Sequence, residues 1–165
     1  GAAGNGWYSY DIAGVHFVAL VNVLQFVDSG TGTLGADQID WLKRDLAGLS
    51  SSTPIVVLSH FPLWPLYPQW GWGTSDGTAA LALLRRFGSV TCLNGHIHQI
   101  AQKIEGHIVF HAARSTAYSQ PAPGVGPGPG PLVVPGEGLL ATIGMTSIEV
   151  RSSNAPIPIT DTTLA

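Results

Sequence analysis

The chain has 165 residues, enough for one domain, with a net charge of −3 and charged residues at 10%, against about 25% in average soluble domains. Seven Lys and Arg spread along the chain cannot build a phosphate-tracking stripe, which argues against nucleic-acid binding. A single cysteine, Cys92, excludes a disulfide scaffold, and five Trp and five Phe exclude disorder.

Trp7–Ala13 and Val15–Val21 read as two strands of a hairpin turning near Gly14. The preceding Gly1–Gly6 has the composition of a loop joined midway, as in a truncated product or a fragment. The apolar run Val15–Val27 is broken by His16, Asn22 and Gln25, so no stretch reaches the roughly 18 residues of a membrane span. No basic-then-apolar signal segment opens the sequence. Gly30–Gly35 is a loop, and Thr33 is the expected cap of a helix over Ala36–Leu49, with Ile39, Leu42, Leu46 and Leu49 at helical spacing. Ile55–Leu58 is an unbroken aliphatic run, the pattern of a strand covered on both faces.

Phe61–Gly77 is rich in Pro, Trp and Gly and forms no regular element. A second helix is expected over Thr78–Phe87, capped by Asp76 or Ser75 and stopped by Gly88. Val90–Leu93 is another covered strand, followed by strands near Ile100–Ile104 and His107–Ala112. Pro121–Gly136 holds eleven Pro or Gly in sixteen residues, an extended excursion within a single domain covering residues 1–165. Thr146–Arg151 returns as a strand. The fold class is therefore α/β, a mostly buried mixed sheet with two helices on one face.

Two strand-to-loop transitions end in histidine: Ser59-His60 and Gly95-His96-Ile97-His98. Ligands gather where the strands of covered sheets end. Gly95 permits a tight turn, so imidazoles two positions apart can converge on one site. Neutral imidazole binds zinc, manganese, iron or nickel, which makes His60, His96 and His98 the candidate metal ligands. Three imidazoles would hold one ion and leave a position open for water. His16, His107 and His111 read as structural, and Cys92 as an inert buried thiol. Trp64, Trp70 and Trp72 fit either a substrate mouth or loop packing.

Ile55-Val-Val-Leu-Ser-His60 with Asn94-Gly-His-Ile-His98 resembles the last two signature blocks of the calcineurin-like metallophosphoesterases. Val15–Leu20, Gly32–Leu42, the loop opening at Phe61-Pro62 and Ala113–Tyr118 extend the likeness. The resemblance implies the second half of an α/β/β/α sandwich, divalent transition-metal dependence and hydrolysis of a small-molecule phosphoester. By analogy, His60 and His96 would serve one ion and His98 another. The family's Asp-x-His, Gly-Asp and Gly-Asn-His-Asp blocks are absent from the sequence, which leaves a half-site, one ion rather than two, and weak hydrolysis as the expectation. Likeness to bacterial extracytoplasmic members implies a periplasmic or secreted protein.

Gly73-Thr-Ser75-Asp-Gly77 matches the G-x-S-x-G pattern, so a serine carboxylesterase using Ser75 on short acyl esters is an alternative. A non-catalytic fragment is a third. If the other half of the sandwich is missing, an apolar sheet face is left bare, and a homodimer or larger homo-oligomer would cover it.

Overall fold

The structure is a computed structural model that describes residues 5–27 and 30–165; the opening residues 1–4 of the expected loop lie outside that range. β1 (Tyr8–Ile12) and β2 (Val15–Ala19) form the expected hairpin, with Ile12 opposite Val15. The two turn residues, Ala13 and Gly14, have φ of 52° and 79°, as a turn matched to right-handed strand twist requires. Two crossovers follow. α1 (Ala36–Leu46) leads to β3 (Ile55–Ser59), parallel to β2, and α2 (Gly77–Leu84) leads to β4 (Val90–Asn94), parallel to β3. β5 (Ala101–Glu105) and β6 (Ile108–Ala112) close the sheet, with β6 parallel to β4 and β5 at the edge. The strand order is β1-β2-β3-β4-β6-β5.

α1 and α2 pack on one face, as expected. Leu42, Leu46, Ala80, Leu81 and Leu84 meet Val18, Ile55, Val57, Val90, Cys92 and Phe110 in one core. The helix read as ending at Leu49 stops at Leu46, because Ala47 N–H and Leu49 N–H turn back to the carbonyls of Arg44 and Leu46 and tighten the last turn. Thr33 does not cap α1; its hydroxyl donates to Asp76. Asp76 does not cap its own helix either. Its carboxylate accepts from Leu34 N–H and Gly35 N–H just ahead of α1, so one acid at the entry to α2 pins the segment that leads into the neighbouring helix.

The C-terminal segment differs most from expectation. Pro121–Pro135 is irregular, as its composition requires, but α3 (Gly136–Thr142) follows it. The returning strand β7 covers Gly144–Ile148, earlier than the expected Thr146–Arg151, and pairs with an unexpected β8 (Ile159–Thr163). Ile148, Val150 and Ile157 from this unit cover Val15, Phe17 and Val56 on the sheet face opposite the helices. Asp161 of β8 accepts from buried His111 of β6 at 3.0 Å and from the Thr146 hydroxyl at 2.6 Å. The face expected to be bare is thus partly covered from within the chain. On the same side of the edge hairpin, Tyr8, Tyr10 and Ile12 stay exposed, a narrower basis for self-association.

Candidate metal centre

β3 and β4 are central, adjacent and parallel, with Ser59 opposite Asn94. The residues that follow them leave the same edge of the sheet side by side. Gly95 N–H donates to the His60 carbonyl at 3.1 Å and ties the two loops together. Within Gly95–His98 the backbone is strained: His96 and His98 have φ of 67° and 54°, a region that costs about 1–2 kcal/mol for a residue with a Cβ. Ile97 N–H returns to the Gly95 carbonyl at 2.8 Å, closing a γ-turn with His96 at its centre. Ile97, 1% exposed, is plugged among Trp72 and Ala112 and holds this loop in place. Strain of this kind persists where the surroundings over-determine it, often at functional sites.

The result is a histidine pair. His96 Nδ1 lies 3.2 Å from His60 Nε2. Two imidazole nitrogens bound to one tetrahedral ion at about 2.0–2.1 Å each stand about 3.3–3.4 Å apart, so the pair has nearly the spacing of two ligands. His98 stands differently. Its Nδ1 is 2.9 Å from the Tyr118 carbonyl, which only accepts, so Nδ1 carries the hydrogen and Nε2 the lone pair. An imidazole oriented by a backbone carbonyl is the usual condition of a metal-ligating histidine. The Tyr118 ring packs on His98 at 4.3 Å between centroids. Among the described residues, no three His, Cys, Asp or Glu side chains are grouped to hold one ion. The structure therefore pairs His60 with His96 and leaves His98 outside the pair.

Burial holds the pKa of His96 down to about 4, helped by the neighbouring charges of His60 and then His98. Burial and then His98 also lower that of His60, although His60 is exposed at its rim and solvent screens much of that effect. The donor set is thus kept neutral, and the hydrogen shared by His96 Nδ1 and His60 Nε2 would have to shift to an outer ring nitrogen for both lone pairs to meet a cation. The sign follows. A histidine with its folded pKa below 6.5 favours the folded state above pH 6.5, and this contribution shrinks as pH falls from 6.5 towards about 4. NMR titration of the metal-free protein is expected to show His96 still neutral at pH 5.5; a midpoint above 6 would contradict the geometry.

Ser75 is not a nucleophile in this arrangement. It is exposed in the turn before α2, and its hydroxyl donates to the Gly32 carbonyl at 3.3 Å. Among the described residues the element directly before it is a short 3-10 turn, Pro68–Trp70, and not a core strand, so the strand–turn–helix elbow that the motif requires is not formed. The structural readings of His16, His111 and Cys92 agree with what is seen, whereas His107, read as a strand residue, lies just outside β6. His16 is held between Asp11 and Asp45, 2.9 Å from each. His107 is exposed at the β5–β6 turn, and burial pushes the Cys92 thiol up to about 12, leaving it unreactive at neutral pH. Trp64 and Trp72 are buried packing residues, and Trp70 stands edge-on to Trp72.

No family model matches the chain. It is 32% identical over 103 residues to purple acid phosphatase 15 of Arabidopsis thaliana, matching 59% of this chain and 18% of that protein. It is 34% identical over 97 residues to purple acid phosphatase 22 of the same plant, 57% and 21%. A dimetal phosphatase from Danio rerio superposes with a TM-score of 0.52 at 17% identity, over 66% of this chain and 48% of that one. The chain is related to the calcineurin-like metallophosphoesterases. It spans about a fifth of the length of the curated relatives it matches. A second solved structure on the same fold, with a TM-score of 0.50 at 15% identity over 73% of this chain and 41% of that one, is described as GAP50, the anchor in the inner membrane complex of Plasmodium. Among the described residues no helix is long and apolar enough to cross a membrane.

Proposed function

We propose that this chain carries one side of the metal centre of a phosphoester hydrolase, with His60 and His96 sharing one divalent ion and His98 facing a second ligand set. The observation that carries the proposal is the 3.2 Å separation of His96 Nδ1 and His60 Nε2 on loops joined by a backbone hydrogen bond. Support comes from relatives named as phosphatases. Imidazole ligands suit an ion of the zinc, manganese, iron or nickel class. Bound there, the ion would supply Lewis acidity towards a phosphoryl oxygen and an acidified water. The chain's own residues do the rest: the Tyr118 carbonyl fixes the tautomer of His98, and the Ile97 plug fixes the loop that carries His96. No carboxylate is grouped with the histidines among the described residues, so turnover by these residues alone is expected to be slow.

An assay on two substrates separates the readings. Zinc- or manganese-loaded protein should hydrolyse 4-nitrophenyl phosphate, lose that activity to a chelator, and keep it in Ser75→Ala. Activity on 4-nitrophenyl butyrate that survives chelation and disappears in Ser75→Ala would overturn the proposal in favour of an esterase. Metal binding without turnover of either ester would mark the chain as a binding half that needs its complement.

A further inference from the structure

We infer that Asn22, acting through Phe61, is the positioning residue that holds His60 and His96 at ligand spacing. The inference rests on the metal-site reading above and extends it to a residue with no charge and no contact with the ion. Asn22 follows β2 and is fully buried, at 0% exposure. Its Oδ1 accepts from Phe61 N–H at 3.1 Å, and its Nδ2 donates to the Phe61 carbonyl at 3.0 Å and to Thr74 Oγ1 at 2.8 Å. Thr74 Oγ1 in turn donates to the Pro62 carbonyl at 2.9 Å.

One side-chain amide thus takes both main-chain groups of the residue immediately after His60. β2 ends at Ala19, so the backbone ladder beside β3 runs out where the histidine loop begins, and the Asn22 side chain continues that pairing. The His60 carbonyl is held from the other side by Gly95 N–H. The Phe61 ring sits against both imidazoles, with its centroid 3.8 Å from that of His96 and 5.3 Å from that of His60. Close approach of Gly32 to Asn22 and Phe61 is needed for this clamp. At Gly32 a Cβ would fall 2.2 Å from the Asn22 carbonyl oxygen and 3.0 Å from the Phe61 ring, so a residue with a side chain would push the clamp apart. Residues that orient metal ligands without touching the ion typically contribute about 10–100-fold in metal affinity.

The test is zinc affinity of the full 165-residue chain, measured by competition with a chromophoric chelator, beside thermal unfolding of the metal-free form. Asn22→Ala is expected to weaken zinc binding by about 10–100-fold. Combined with His60→Ala, it should add little to the loss from His60→Ala alone, because both act on the same ligand. If Asn22→Ala does not fold, Phe61→Leu decides: it keeps the main-chain clamp, removes the ring from His96, and should weaken zinc by about threefold or more. Zinc affinity within twofold of the parent, even with a lowered melting temperature, would make Asn22 merely structural and overturn the inference. A parent chain whose zinc binding does not respond to His60→Ala or His96→Ala would overturn the metal-site reading itself.

Discussion

Replacing His96 with Ala is expected to abolish zinc binding at micromolar concentration. Structural zinc sites with four ligands bind with about 10–16 kcal/mol, so each ligand accounts for roughly 2.5–4 kcal/mol, on the order of 100- to 1,000-fold in affinity. His96 stands 3.2 Å from His60, and an ion left with His60 alone would have one protein nitrogen and water. The same variant leaves the backbone strain in place, because Ala tolerates φ of 67° no better than His, and it removes no core side chain. Stability of the metal-free protein should therefore hold while zinc affinity collapses. His98→Ala should behave differently. His98 is oriented by Tyr118 and stands outside the pair, so its loss should leave the His60–His96 ion bound. Equilibrium dialysis of the two variants side by side, with elemental analysis of bound zinc, separates the roles. Equal losses in both would mean a single three-histidine ion.

The second large effect is on stability. Phe110→Ala should destabilise the fold by about 3–5 kcal/mol, the usual result of emptying a buried aromatic site, against a total of about 5–15 kcal/mol for a typical domain. Phe110 is 0% exposed in β6 and belongs to the core shared by α1, α2 and the central strands. Its ring lies 4.8 Å from that of Trp64, which sits in the loop that leaves His60. The cavity would thus open beneath the segment that carries the site. Urea denaturation should show a lower midpoint with an unchanged slope, and a change below about 1 kcal/mol would mean that the core collapses around the gap.

What the sequence revealed and what it hid have physical reasons. The parallel core was legible because Ile55–Leu58 and Val90–Leu93 are continuous aliphatic runs, which only a sheet covered on both faces accommodates. The histidines were legible because both runs end in them. Chain spacing could not show that His98 stands apart, since that depends on the left-handed backbone at His96 and His98 and on the Tyr118 carbonyl twenty residues away. α3 was hidden by Gly136 and Gly138 within seven residues, a composition that reads as loop. β8, Ile159–Thr163, carries Thr and Asp where an apolar alternation would signal a strand, and Asp161 there meets His111 across fifty residues. Asn22 and Gln38 were equally hidden. An amide side chain gives no sign in sequence that its partners are backbone groups, yet Gln38 takes the Val21 carbonyl and N–H as Asn22 takes those of Phe61.

The most direct measurement of the central claim is X-ray absorption at the zinc edge of the chain loaded with one equivalent of zinc. If His60 and His96 share one ion, the spectrum should fit two imidazole ligands at about 2.0–2.1 Å, with oxygen completing the shell, and His96→Ala should lower the count to one. A shell that fits three imidazoles, or that does not change on replacing His96, would contradict the pairing.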